Sequence, residues 1–159
     1  GPGGKGVFPS LTVRQNLDTS ARLLGRPGPD IQRRLRYVFD LLPELEKQND
    51  QIAARLSGGQ QQMLALARVL LQEPDILLID ELSLGLAPIV VERLLAIVER
   101  LKSEGQTMVI VEQSLNVALS IADRAIFLDK GSVRFEGPAR DLLERDDLVR
   151  AVFFGVEGG

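Results

Sequence analysis

The chain has 159 residues, 45% of them hydrophobic, and a formal charge of -3 from 19 basic and 22 acidic side chains. That balance suits one soluble globular domain with a real core and offers no basic surface for nucleic acid. Cysteine and histidine are both absent, which excludes disulfides, thiol catalysis, imidazole bases and most zinc sites, and permits a reducing cytoplasmic location.

GPGGKG at the start is glycine-rich and is left out of the fold reading. Val13, Leu17, Ala21 and Leu24 then recur at helical spacing, with Thr12 and Gln15 placed as a capping box and Gly25 as a stop. Asp30 is placed to cap a second helix with Ile31, Leu35, Val38, Phe39 and Leu42 on its apolar face and Pro43 at its end. Arg33, Arg34 and Arg36 read as a solvated face of that helix. A third helix follows Ser57 and buries Met63, Leu66, Ala67, Leu70 and Leu71. Pro74 and Asp75 break it, and Ile76 to Ile79 form a continuous apolar run, expected as a strand buried on both faces. A helix from Ile89 to Ser103 turns Val91, Leu94, Leu95, Val98 and Leu101 inward and stops at Gly105. Next come a strand from Thr107 to Val111, a helix from Ser114 to Ala122 and a strand from Ala125 to Leu128. Asp129, Lys130 and Gly131 then form a hairpin turn into Val133 and Phe135. Helical segments are expected near Pro138 and Asp147. The order predicts an α/β fold: helices first, then a parallel β-layer flanked by helices. No apolar run approaches the roughly 20 residues of a membrane helix, and no signal peptide is evident. Any membrane connection is therefore expected through a partner, with no direct insertion.

Two places carry chemistry. Asp80 and Glu81 stand at the end of the Ile76 to Ile79 strand, and ligands of open α/β sheets gather outside the carboxyl ends of strands. An aspartate there can hold Mg2+ beside nucleotide phosphates, and the adjacent glutamate can orient or deprotonate a water for attack on phosphorus. The second place is LSGGQ, Leu56 to Gln60. Ser57 can cap the helix behind it, while Gly58 and Gly59 leave its first N–H groups bare for an anion. Alone, the acids read as solvated surface and the glycines as a loop with an ordinary cap. Together, about one helix apart, they point to phosphate chemistry.

The stretch LSGGQQQMLALARVLLQEPDILLIDELSLGLAP resembles the signature motif, Walker B strand and D-loop of ATP-binding cassette (ABC) ATPases, in that family's order and spacing. The likeness runs from about Gly6 to Phe154. GVFPSLTVRQNL, SLGLAP and VEQSLNVAL are similar to ATPase subunits of bacterial branched-chain amino-acid importers, a wording that importers of amides or urea share. The resemblance implies a partial P-loop NTPase fold. Residues 1–11 would be a leader and post-Q-loop segment, 12–73 a helical subdomain, and 74–159 the C-terminal part of the nucleotide-binding core.

The resemblance also implies roles. Ser57, Gly58, Gly59 and Gln60 would contact the γ-phosphate of ATP held by a second ABC ATPase subunit. Asp80 would support Mg2+, Glu81 would be the catalytic carboxylate, and Gln113 would occupy the switch position where most cassettes carry histidine. Ser83, Leu84, Gly85, Leu86 and Ala87 would be the D-loop crossing the dimer interface. Phe8 to Val13 would lie near a membrane-spanning permease, holding the protein at the inner face of the cell membrane.

Two departures stand out. Leu82 replaces the usual proline after the Asp-Glu pair and is expected to loosen the start of the D-loop. No segment matches a P-loop: in GPGGKG, Gly6 follows Lys5 where the Mg2+-binding hydroxyl belongs, and no strand precedes it. The Q-loop glutamine is missing as well, since Gln15 lies too late. In the family the P-loop strand separates the strands matching Thr107 to Val111 and Ala125 to Leu128. Its absence is expected to expose sheet edges that close by direct pairing, by exchange in a dimer or by aggregation. The chain alone is expected not to hydrolyse ATP. The rival readings are an assembly module supplying a signature in trans, and part of a soluble ABC protein of translation or DNA repair.

Overall fold

The side chain of Thr12 opens the first helix. Its Oγ1 accepts from the Gln15 N–H at 3.1 Å while Gln15 Oε1 accepts from the Thr12 N–H at 2.9 Å, closing the predicted capping box. The computed structural model describes residues 6–23 and 28–144. The expected stop at Gly25, the helix near Asp147 and the Gly4–Lys5 pair lie outside the described residues.

Helix α1, Val13–Arg22, buries Val13, Leu17 and Ala21. Helix α2, Gly28–Leu41, begins ahead of Asp30, which is therefore not its cap. Asp30 instead lies in the first turn, 3.5 Å from Arg33, where a carboxylate suits the helix dipole. Pro43 does more than end α2. It occupies the first turn of a short helix α3, Pro43–Lys47, where a missing N–H is harmless.

The arginine triplet is also not one solvated face. Arg34 is only 18% exposed, pairs with Glu73, donates from Nη2 to the Leu70 carbonyl at 2.6 Å and stacks 4.5 Å over the Tyr37 ring. It fastens α2 to the end of helix α4, Gly58–Leu70, which buries Met63, Leu64, Ala67 and Leu70. Before α4, the segment around Phe8 to Thr12 lies against residues 51–54. Ala53 and Ala54 donate to the carbonyls of Leu11 and Pro9, both at 2.9 Å. Fully buried Asn16 accepts from the Phe8 N–H at 2.7 Å and donates to the Phe8 carbonyl at 3.0 Å.

Strand β1, Ile76–Asp80, helix α5, Pro88–Ser103, and strand β2, Thr107–Val111, form a parallel pair with its crossover helix. The register sets Ile76 beside Thr107 and Asp80 beside Val111, so the two strands end together. The expectation that β1 is buried on both faces fails. Leu77 is 3% exposed, but Ile76 is 56% and Leu78 74% exposed. Side chains alternate between faces, and among the described residues only the face turned to α5 and the helices is covered.

Helix α6, Leu115–Ile121, is capped by Ser114. Strands β3, Arg124–Asp129, and β4, Ser132–Pro138, make an antiparallel hairpin, and α7, Ala139–Leu143, follows. Lys130 and Gly131 both carry positive φ, 47° and 79°, as a two-residue turn compatible with strand twist requires. The architecture is α/β, yet its strands do not form one parallel layer. Among the described residues β1 pairs with β2 and β3 with β4, in two separate sheets. Of the three expected ways to close the sheet, direct pairing of β2 with β3 is therefore not adopted.

One core serves helices and strands alike: Leu17, Val38 and Leu64 join Leu77, Leu94 and Val98 in a continuous cluster. No helix of the described residues is long and apolar enough to cross a membrane.

Candidate functional site

The shared ending of β1 and β2 builds the site. Directly after β1, the Glu81 N–H donates to the Val111 carbonyl at 2.9 Å, extending the ladder by one bond. Glu81 has φ 54°, a left-handed conformation uncommon for a residue with a side chain and typical of functional positions. Gln113, beyond the end of β2, donates from Nε2 to Glu81 Oε1 at 2.7 Å. Two side chains 32 positions apart in sequence thus meet. The sequence reading aimed the Gln113 amide at a phosphate; in this structure it holds the carboxylate.

Asp80, the last residue of β1, is exposed beside them. No group of three or more acidic side chains able to hold a metal occurs among the described residues. Mg2+ keeps several waters and needs only one or two carboxylates beside phosphate oxygens, so the donor set at Asp80 fits that ion. The phosphate cradle it would accompany is not supplied by these strand ends.

LSGGQ behaves in part as expected. Ser57 caps α4: its Oγ accepts from the Gln60 N–H at 3.3 Å, and Gln60 Oε1 accepts from the Ser57 N–H at 2.9 Å. Both side chains are therefore engaged in a second capping box. Gly59 departs from expectation, because it is buried rather than bare. A Cβ there would lie 2.5 Å from Val90 Cγ1, so its glycine is required by the close approach of α4 to the first turn of α5. Gly58 is half-buried and Ser57 exposed. Among the described residues, no hydrogen bond joins Ser57 to Gln60 with Asp80, Glu81 or Gln113.

The stretch Ser83 to Ala87, expected from the resemblance as the D-loop, leads from Glu81 into α5, with Leu84 61% exposed and the Leu86 N–H turned back to the Ser83 carbonyl at 3.3 Å. Its start is not loosened by Leu82. That side chain is 2% exposed, and its carbonyl accepts from Gln62 Nε2 of α4 at 3.1 Å. A buried leucine anchors by packing what a proline would fix by its ring.

One residue escaped the sequence reading. Glu112 sits between β2 and Gln113 and accepts four hydrogen bonds on one carboxylate. They come from Ser83 N at 3.0 Å, Ser83 Oγ at 2.9 Å, Gln113 N at 3.0 Å and Ser114 N at 3.0 Å. The available signal was VEQS, an acid two positions before the serine cap of α6. A cleft of about 380 Å3 between Arg34, Tyr37, Glu104 and Gln106 includes none of the site residues.

Residues 3–83 match the family model for ABC transporter. The high-affinity branched-chain amino acid transport ATP-binding protein BraG of Pseudomonas aeruginosa is 40% identical over 154 residues, 97% of this chain and 65% of that protein. The probable branched-chain amino acid transport ATP-binding protein LivF of Archaeoglobus fulgidus is 36% identical over 148 residues, 91% of this chain and 61% of its own length. Among solved structures, cbiO1 from Clostridium perfringens, part of the ABC transporter complex cbiONQ, superposes with a TM-score of 0.78 at 26% identity. That likeness covers 92% of this chain and 58% of cbiO1. The chain thus spans less than two thirds of the length of these relatives. A family model over half of the chain and relatives up to 40% identical agree with this fold, and the chain belongs to the ABC transporter ATP-binding family.

Proposed function

We propose that the chain is part of the ATP-hydrolysing subunit of an ABC importer that energises uptake of branched-chain amino acids or similar solutes. The observation that carries the reading is the 2.7 Å bond from Gln113 to Glu81 at the joint end of two parallel strands. The names of BraG and LivF support the solute class.

In this reading Asp80 holds Mg2+, which when bound neutralises charge on the phosphates. Glu81 orients a water and takes its proton as it attacks phosphorus, and Gln113 fixes the Glu81 carboxylate for that task. Ser57 to Gln60 meet the γ-phosphate of ATP held by a second subunit, with Ser83 to Ala87 crossing the interface. The Phe8 to Val13 segment docks on a membrane-spanning permease, which keeps the protein at the inner face of the membrane. Residues 12–73 act as the helical subdomain and 74–159 as part of the nucleotide core. The P-loop comes from elsewhere in a longer polypeptide or from a partner chain.

Because phosphoryl transfer relies on positioning and charge stabilisation, these 159 residues alone are expected neither to bind Mg-ATP tightly nor to turn it over. Calorimetric titration with Mg-ATP, then phosphate release with and without a P-loop-bearing segment of a related cassette, tests both parts. Release is expected only with the added segment, and Glu81→Gln should reduce it about 100-fold or more. Turnover by the chain alone that Glu81→Gln abolishes would overturn the missing-cradle part. Release that survives Glu81→Gln would overturn the role of Glu81. A second reading, a non-catalytic module lending its signature in trans, draws on the missing P-loop and predicts restored release that is indifferent to Glu81→Gln.

A further inference from the structure

Glu112 is the one carboxylate at this site that the mechanism above leaves without a task. Oε2 accepts only the Ser83 N–H, while Oε1 accepts the Ser83 hydroxyl and the N–H groups of Gln113 and Ser114. Ser83 begins the D-loop stretch. Gln113 is the residue whose side chain grips Glu81 at 2.7 Å. One carboxyl group is thus the shared acceptor for the base of the loop and for the backbone of the switch. From the other side, Gln62 of the signature helix holds the carbonyl of Leu82.

We infer that Glu112 is a positioning residue that clamps the D-loop base to the switch backbone, so that displacement of the D-loop by a partner moves Gln113 and hence Glu81. The inference rests on the ATPase reading for its meaning, but the geometry it needs exists in the chain without nucleotide. The physics separates two substitutions. Alanine removes every acceptor. Glutamine keeps one oxygen, which can serve the three donors now on Oε1, and sets an amide NH2 against the Ser83 N–H.

Amide hydrogen exchange followed by NMR on the full 159-residue chain reads this difference. Glu112→Ala is expected to speed exchange at Ser83, Gln113 and Ser114 about tenfold or more. Glu112→Gln should do so at Ser83 alone, with the α4 amides changed far less in both. The side-chain amide resonance of Gln113 gives the coupling itself and is expected to shift in Ser83→Ala, because the Ser83 hydroxyl donates to the Glu112 oxygen that also accepts the Gln113 N–H. Unchanged exchange at Ser83 in both Glu112 variants, or a uniform rise across the chain, would overturn the clamp. A Gln113 resonance unmoved by Ser83→Ala would overturn the transmission. None of these measurements uses ATP, so failure of the ATPase reading and failure of the clamp leave different signatures.

Discussion

The helices before β1 and the strands after them use apolar residues in opposite ways. Leu17, Val38, Leu45 and Leu64 are wholly buried, each turned onto a face that another helix covers. In the strands every second apolar side chain lies open: Ile76, Leu78, Val109 and Val111 on one sheet, and Ile126, Leu128 and Val133 on the other, are all more than half exposed. A helix needs one stripe covered and finds it among its neighbours, whereas a strand of a parallel sheet is apolar on both sides and needs two. Only one of those two sides is covered among the described residues. An apolar run reports what a segment demands, and the tertiary structure determines whether that demand is met.

The comparison can be broken most directly by truncation. Leu17→Ala and Leu64→Ala, at fully buried positions, are expected to destabilise the chain by about 3 kcal/mol each. Leu78→Ala, at a position 74% exposed, should stay within about 0.5 kcal/mol. Urea midpoints decide the matter, and equal costs would mean that the open face is covered in solution.

The seam between the two regions gives a smaller effect. Gly59→Ala should cost about 2 kcal/mol, because its Cβ meets Val90 at 2.5 Å, a distance real contacts do not tolerate. Val90→Ala added to Gly59→Ala should return part of that loss. If the single variant is as stable as the parent, the helices have room to part and the contact is not a constraint.

The smallest effect lies at the far end of α5, where Tyr37 of α2 donates to Glu104 Oε2 at 2.5 Å. Burial, then the hydrogen bond to Glu104, pushes the Tyr37 hydroxyl up from 10.0 to about 12. Deprotonation is thus harder in the folded chain. The stability this bond contributes is full below pH 10 and is lost as pH rises toward 12. Glu104 is held below its usual range, chiefly by the same bond, so its contribution is lost at the acid end as pH falls through that lowered value. Tyr37 is the sole tyrosine and tryptophan is absent, so tyrosinate absorbance reports it cleanly. The midpoint should fall toward the ordinary value in urea, and Tyr37→Phe should flatten the alkaline slope of stability. A midpoint near 10 in the folded chain would show that α2 and α5 are not joined there.

What was legible in the sequence is what neighbours along the chain decide. Thr12 with Gln15, and Ser57 with Gln60, close capping boxes because three residues of helix bring each pair together. Gly131 supplies the positive φ its turn needs by its own backbone freedom, and Asp80 and Glu81 end a strand because the apolar run ends before them. The misreadings share another cause. Asp30 was displaced from its cap by a helix that starts earlier, and Arg34 left the solvated face for Glu73 and Leu70. Gly59 is glycine because Val90 arrives from another helix.

By itself, then, the sequence determined most of the elements and their order, though not the short helix α3, since helix caps, turns and apolar periods act over a few positions. Only the tertiary structure decided the rest: that β2 and β3 stay unpaired among the described residues, that one face of β1 stays open, that Gln113 reaches Glu81, and that Glu112 gathers Ser83, Gln113 and Ser114. Each of these joins residues or faces that the chain brings together only on folding, and contacts of that kind depend on where every intervening element packs.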